Sequence, residues 1–244
     1  MSNIAVIIPS RLNAERLPNK PLKLINKKEM ILHVYDAAKN SNVGDVIVAT
    51  PDQEILDLIK NHNGLAVLTS NKHETGTDRV FEVFNKELKS TPEIIINFQG
   101  DMPNLKPQAI RDLAEHMKKN LCDIATLASN IENYLEEKDP NVVKVLVNSE
   151  IKNKSFAKAL DFFRILDKPL SKFVYHHVGI YAFTNKALIR YVSLERSKLE
   201  KNRKLEQLRA LEDKMKIDVG YIDDCPLSVD TEADLVAVKK VMEK

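Results

Sequence analysis

The sequence predicts an α/β fold built on a Rossmann-like, doubly wound and mostly parallel sheet with a mixed-sheet extension. Four short apolar runs, Ile4 to Ile8, Asp45 to Ala49, Leu65 to Leu68 and Glu93 to Asn97, alternate with segments of helical spacing. Within each run the apolar residues are nearly continuous, as in strands covered on both faces. No repeat, low-complexity tract or Pro/Gly/Ser linker divides the chain. Right-handed crossovers then place successive helices on the two sides of one parallel sheet.

The intervening segments Met30 to Ala38, Gln53 to Asn61, Asp78 to Lys89 and Pro107 to Lys118 repeat apolar residues three or four apart with charge in the gaps, which predicts helices. From Ala125 the rhythm changes. Val142 to Val147 and Val174 to Phe183 read as strands, Ser155 to Phe163 is ambiguous, and Lys186 to Val192 and Leu199 to Leu211 read as helices. Lys216 to Tyr221 is a further strand, and Asp230 and Thr231 are good starting residues for a last helix from about Thr231 to Glu243. The expectation is one domain over 1–244, with a ligand-binding first half of about 1–122 and an appended lobe of about 123–215.

Composition excludes several classes of function. Lys plus Arg number 37 against 35 for Asp plus Glu, so net charge gives no reason to expect a nucleic acid partner. The absence of a run of 18 apolar residues, and a first segment that turns charged after one strand, predict neither membrane insertion nor an export signal. Cys122 and Cys225 lack zinc-ligand spacing and read as reduced thiols of a cytoplasmic protein. The 6 glycines form neither GxGxxG nor GxxxxGK, and HExxH and GxSxG are absent.

Four polar segments remain. The loop IPSRLNAERLPNKPL sets Arg11, Arg16 and Lys20 directly after the first strand, where doubly wound sheets take their ligands. Three cations there suit a triphosphate, although pairing with Glu15 and Glu29 on a solvated loop explains their charge equally well. The fourth strand ends in NFQGD, placing Asp101 at the carboxyl edge beside the first strand in the usual strand order. One or two carboxylates together with phosphate oxygens and water suit Mg²⁺; an Asp capping the next segment is the plainer reading. HETGTDR, with Thr75, Thr77 and Arg79, reads as base, sugar or phosphate recognition or as a helix cap. In SVDTEADL, Asp230 is either a second metal ligand or a cap.

Taken in order, IPSRLNAERLPNKPL, HETGTDR, NFQGDMP, DPNVVKV, HHVGIYAF, LEQLRALE and SVDTEADL resemble the 3-deoxy-manno-octulosonate (KDO) cytidylyltransferase family of sugar nucleotidyltransferases. The resemblance runs from residue 4 to about 240 and implies the nucleotide-diphospho-sugar transferase type of fold. It implies that Arg11 and Lys20, with Arg16 nearby, hold the phosphates of CTP, and that Asp101 and Asp230 hold Mg²⁺. Thr75, Arg79, Gln99 and Gly100 would serve the nucleotide, and Gln99, Lys158, His177, Tyr181, Glu206 and Gln207 the acidic sugar KDO. The first half would then bind nucleotide, and the lobe would bind sugar and form a homodimer, with Phe156, Phe162 and Phe163 at that contact or in the core. The implied reaction is transfer of CMP from CTP to the anomeric hydroxyl of KDO, releasing pyrophosphate, in the cytoplasm and for lipopolysaccharide synthesis.

This chain departs from the family pattern at three places. Met102 follows QGD where Glu is usual, Ala157-Lys158 stands for a Ser-Arg pair, and Arg203 replaces a carboxylate ahead of LEQLR. A Lys attracts a carboxylate but lacks the planar two-pronged fork of Arg. Two rival readings stay open: a related transferase using a sialic-type acid or another nucleotide and sugar, and a nucleotide-binding protein of the same fold without catalysis.

Overall fold

The computed structural model describes residues 3–13, 16–119, 121–165 and 172–243. The chain divides into two compact units, Met1–Arg111 with Pro226–Lys244, and Asp112–Cys225. The expected divisions near 122 and 215 therefore fall at 111 and 225, and the chain end returns to the first unit.

In the first unit, strands β1 (Ile4–Pro9), β4 (Asp45–Thr50), β5 (Leu65–Leu68) and β6 (Ile94–Phe98) pair in parallel in the order β5-β4-β1-β6. This is the order 3-2-1-4 of the four predicted strands. Every residue of β1 is buried, as a continuous apolar run in a two-sided sheet requires. A short hairpin, β2 (Leu24–Ile25) and β3 (Lys28–Glu29), was not legible in the sequence. Its turn residues Asn26 and Lys27 have φ of 49° and 67°, the left-handed pair that fits a two-residue hairpin. Helix α1 (Met30–Ser41) follows it, α2 (Gln53–Asn61) has the predicted bounds, and α3 (Gly76–Lys86) starts earlier than expected. The reason is Thr75, whose hydroxyl accepts from Asp78 N–H and so starts the helix ahead of Asp78. Lys89 and Ser90, at φ of 48° and 55°, lie beyond its end. Helix α4 (Pro107–Lys118) spans the division between the units.

The C-terminal helix (Glu232–Met242) packs Leu235 and Val238 with Val229, Leu17, Ile25 and Met30 in one buried cluster. Each such side chain removed from water contributes about 2 kcal/mol. This cluster fixes the first loop against the segment that carries Asp230.

The second unit holds β7 (Ile124–Ser129), α5 (Tyr134–Lys138), β8 (Lys144–Val147), β9 (Phe156–Phe163), β10 (Val174–Thr184), α6 (Asn185–Ser193), α7 (Lys198–Arg203), α8 (Gln207–Glu212) and β11 (Ile217–Tyr221). The C-terminal helix of the first unit is α9. The strand order is β10-β7-β11-β9-β8, and β8 also pairs with β10, so the five strands close on themselves. Only β7 and β11 are parallel neighbours in this set. Register shifts at Val178/Tyr181 and Leu146/Val147 mark the irregularities through which such a small sheet bends.

One strand went unread in the sequence and one expected helix is corrected. IATLAS is a buried strand, although its small residues weaken the apolar signal. The helix expected over Leu199 to Leu211 is two helices, because Lys204 adopts φ 53° and closes α7. Apolar spacing runs on through the break without a Gly or Pro to mark it. Glu200 of α7 and Arg209 of α8 bridge it with two hydrogen bonds of 2.8 Å, both side chains buried.

Candidate active site

A cavity of about 630 Å³ lies in the first unit, lined among others by Ser10, Arg11, Arg16, Lys20, Thr75, Arg79, Gln99, Gly100, Asp101 and Asp230. All nine nucleotide-side and metal-side candidates from this unit therefore come together. The parallel order β1-β6 accounts for Arg11, Gln99, Gly100 and Asp101 among them, since it sets the loop after β1 beside the loop after β6. Gly100 eases a close approach: a Cβ there would meet the Pro9 carbonyl oxygen at 3.2 Å, a tight contact.

At the centre, Lys20 Nζ lies 3.0 Å from Asp230 Oδ1 and 3.3 Å from Asp101 Oδ2. Arg16 Nη2 lies 3.0 Å from the other oxygen of Asp230. Val229 N–H donates to the Asp101 carbonyl at 2.9 Å, tying the two acidic segments together through the backbone. The capping role expected for Asp230 is not the observed one: Thr231 caps α9 in a capping box with Asp234, leaving the Asp230 carboxylate to the cations. Burial, reinforced by Asp230 and opposed by Lys20, pushes the Asp101 carboxyl above the usual range. The pairing with Glu15 considered for the loop cations falls outside the described residues; Arg16 and Lys20 pair instead with the two aspartates.

Arg79 is buried and donates to Thr69 Oγ1 and, at 3.0 Å, to the Ser70 carbonyl. Burial and then the like charge of Arg11 lower its pKa, against Asp52 and Glu82. Two guanidinium groups that repel one another beside an open cavity favour an anion there. Glu82 anchors the same segment: burial raises its pKa, but hydrogen bonds from Lys86, His73 and Ser70 N–H outweigh this and hold it at about 2. Gln99 Nε2 donates to Asn97 Oδ1 at 2.9 Å, and Asn97 Nδ2 to Thr77 Oγ1 at 3.2 Å, a ladder that aligns β6 with α3. The Thr75 hydroxyl is engaged with Asp78, to which it donates at 2.8 Å.

One residue escaped the sequence reading. Ser10 Oγ is buried, lines the cavity and has no hydrogen-bond partner among the described residues. A hydroxyl left unmatched at such a place is costly unless a ligand completes it. Its only signal in the sequence was its position directly before Arg11. Met102, by contrast, is 4% exposed. It is an apolar core residue, so a carboxylate substituted there starts from a buried position.

The remaining candidates belong to the second unit. His177 and Tyr181 share one face of β10, with ring centroids 5.4 Å apart, and Phe162 meets His177 edge-on at 5.1 Å. Thr126 Oγ1 lies 2.7 Å from the Ile180 carbonyl and 2.9 Å from His177 Nε2. The hydroxyl proton goes to the carbonyl, so His177 donates from Nε2 and presents Nδ1 as an acceptor. Burial, with His176 adding to it, lowers the His177 pKa to about 3, which keeps the ring neutral. Burial, then Tyr191 and Glu206, raise that of Tyr181. Glu206 opens α8, its carbonyl accepting from Tyr191 Oη at 3.0 Å, and Gln207 is buried beside it.

Lys158 does not join this group. Its register partners are Asp218 and, through β11, Ala125, whereas Tyr181 is in register with Thr126, Val219 and Ala157. Strand alternation therefore puts Lys158 on the opposite face from Tyr181 and His177. Arg203 pairs with Asp161 at 2.7 Å and donates to the Phe162 carbonyl at 3.0 Å, so the unusual cation before LEQLR has its own carboxylate. Phe162 is core, while Phe156 and Phe163 are partly buried. Among the described residues, no helix is long and apolar enough to cross a membrane.

The cytidylyltransferase family profile matches residues 5–217. A 3-deoxy-manno-octulosonate cytidylyltransferase of Rhodopseudomonas palustris (strain BisB18) is 43% identical over 242 residues, covering 97% of this chain and 96% of the relative. One from Bartonella quintana (strain Toulouse) is 41% identical, with 97% of each chain covered. The solved structure of a CMP:2-keto-3-deoxy-manno-octonic acid synthetase complexed with CTP superposes with a TM-score of 0.88 at 36% identity, covering 99% of both chains. With likeness of this extent along whole chains, the protein belongs to the cytidylyltransferase family and, within it, to the 3-deoxy-manno-octulosonate cytidylyltransferases.

Proposed function

We propose that this chain, which transfers CMP from CTP to 3-deoxy-manno-octulosonate, does so by binding the triphosphate in the first unit's cavity and reading the acidic sugar through His177, Tyr181, Glu206 and Gln207. The observation that carries the reading is Lys20 shared between Asp101 and Asp230 in a cavity that also holds Arg11, Arg16 and Arg79. Two oxygen-donor carboxylates gathered on one cation fit Mg²⁺, and Lys20 Nζ marks where positive charge is already stabilised. Asp101 and Asp230 would hold the metal, which when bound supplies charge neutralisation and a lowered pKa for the attacking hydroxyl.

The chain's own groups account for the rest. Arg11, together with Lys20 once it is released from the carboxylates, offsets charge on the pyrophosphate as it leaves. Ser10 Oγ, Thr75 and Gln99 line the nucleotide side, and Arg79 adds a fixed positive field. Neutral His177 accepts a sugar hydroxyl proton at Nδ1, a role a charged imidazolium could not perform. The anomeric oxygen, its hydroxyl proton passing to water, bonds to the α-phosphorus as the bond from that phosphorus to the oxygen bridging to the β-phosphate breaks, and no covalent enzyme intermediate is needed. We read the enzyme as a cytoplasmic homodimer whose product feeds lipopolysaccharide synthesis.

The test is pyrophosphate release from CTP and KDO with Mg²⁺, against a panel of other nucleoside triphosphates and sialic-type acids. Release should need CTP, KDO and metal together, and stop with chelator. CTP binding without release would favour the non-catalytic reading, and release with a different acid the related transferase. Sedimentation of the same sample gives the oligomeric state.

A further inference from the structure

We propose that His116, Cys122 and Asp218 of the second unit form a binding site for one divalent transition-metal ion of the zinc class. None of the three lines the first unit's cavity, and the transfer reaction uses none of them.

The three side chains each offer one donor atom, and these atoms all lie within 4.8 Å of one another. His116 Nε2 and Asp218 Oδ2 are already 2.8 Å apart. Donors bound tetrahedrally to zinc, at about 2.0 to 2.3 Å from the ion, lie roughly 3.5 Å from each other, so side-chain adjustments of about an ångström close the set. The donors sit on regular elements or directly beside them. His116 is in the last turn of α4, Cys122 precedes β7 by two residues, and Asp218 lies in β11, paired in register with Ala125 of β7.

A second observation shows that the imidazole is held in place. Its ring lies flat on Phe156, with centroids 3.6 Å apart and planes at 3°. Phe156 in turn occupies space that only Gly220 leaves open, since a Cβ at Gly220 would stand 2.5 Å from the phenyl ring. The glycine thus makes room for the ring that orients the ligand.

The donor types select the ion. Thiolate, imidazole and carboxylate together suit zinc and its neighbours, not the all-oxygen preferences of Mg²⁺ or Ca²⁺. Met117 Sδ, 3.7 Å from Cys122 Sγ, adds to the soft character of the surroundings. Without a metal the Cys122 thiol is inert, pushed up to about 12 by burial and by Asp218. Binding exchanges the thiol proton, released to solvent, for the ion, and the proton that His116 Nε2 gives to the Asp218 contact moves to Nδ1 so that Nε2 can ligate. The cation a metal must compete with is Lys158, which stands opposite Asp218 in the β9–β11 ladder.

The site is tested on the full chain with Co²⁺ as a spectroscopic probe and Zn²⁺ as competitor. Expected are a thiolate-to-cobalt charge-transfer band that saturates at one equivalent of Co²⁺, the visible bands of a tetrahedral ion, and their loss when Zn²⁺ is added. Cys122→Ser should abolish the charge-transfer band. His116→Asn should weaken Zn²⁺ by about 100-fold or more, since even outer partners of a metal site cost ten- to a hundred-fold. Gly220→Ala should weaken it without removing a ligand. Cys225 Sγ, 3.6 Å from His176 Nδ1, is the competing thiol, and Cys225→Ser should leave the spectrum intact. Should Cys122→Ser not fold, Zn²⁺ must still slow alkylation of Cys122 in the unaltered protein. Absence of the charge-transfer band in that protein, its loss with Cys225→Ser, or alkylation of Cys122 unaffected by Zn²⁺ would overturn the proposal.

Discussion

The two units gather polar side chains in opposite ways. In the first, Arg16, Lys20, Asp101 and Asp230 form ion pairs that still reach the cavity, with the Asp230 side chain 39% exposed. In the second, His177 and Tyr181 are held neutral by burial, and the charged pair Glu200–Arg209 is closed off from water. An anionic triphosphate has to displace existing partners, so its site keeps charges exchangeable. A sugar read through hydroxyl groups needs fixed donors and acceptors in a dry setting, where each hydrogen bond discriminates strongly.

If that contrast is right, the largest stability loss comes from the closed pair. Glu200→Ala leaves the Arg209 guanidinium buried without its carboxylate, and should lower the unfolding free energy by about 3 to 5 kcal/mol. Urea denaturation measures this. A loss comparable to that of an exposed surface pair would mean water reaches Glu200. Next come the cavity carboxylates. Asp101→Asn or Asp230→Asn should lower kcat about 100- to 1000-fold while circular dichroism stays unchanged, the scale of one lost charge interaction at a transition state. Near-normal turnover would remove both from the metal site.

A smaller effect separates the units by pH. The unfolded chain protonates His177 near 6.5, whereas the folded chain resists until about 3. The unfolded state therefore gains protons first as pH falls, and stability is lost across that window. Between pH 6.5 and 5 the loss should reach about 2 kcal/mol, before most carboxylates titrate. Comparing the chain with His177→Gln isolates this share, which should vanish in the variant. An unchanged slope would show that His177 is not neutral and buried.

The first unit was the more legible half because its signals are local. Its strands are continuous apolar runs, its helices are amphipathic, and the position of Asp101 beside Arg11 follows from strand order alone. The approach of Asp230 to Lys20, 210 residues apart, was carried in the sequence only by family likeness. Its physical cause is the cluster of Leu17, Val229 and Leu235, which periodicity cannot pair. In the second unit the sequence conceals the decisive features. β7 is built from small residues, Lys204 breaks a helix without Gly or Pro, and strand closure depends on register shifts.

Lys158 shows what such a register costs a reading made from sequence. Family resemblance set it in the place of the arginine of a Ser-Arg pair, where its charge would attract a sugar carboxylate, but face assignment in a strand reverses with each residue. The ladder puts it with Asp218 and opposite the face of Tyr181. An exposed lysine away from the substrate side contributes little to binding, so Lys158→Met should change KM for the sugar by no more than about twofold, the range of a surface substitution. Arg164, one residue past the end of the same strand and anchored to the Pro140 and Asn141 carbonyls at 3.0 and 3.4 Å, is the cation to compare with it. If Lys158→Met raises the sugar KM tenfold or more while Arg164→Met does not, the lysine reaches the sugar after all, and the division between an exchangeable and a dry site no longer follows the faces of this sheet.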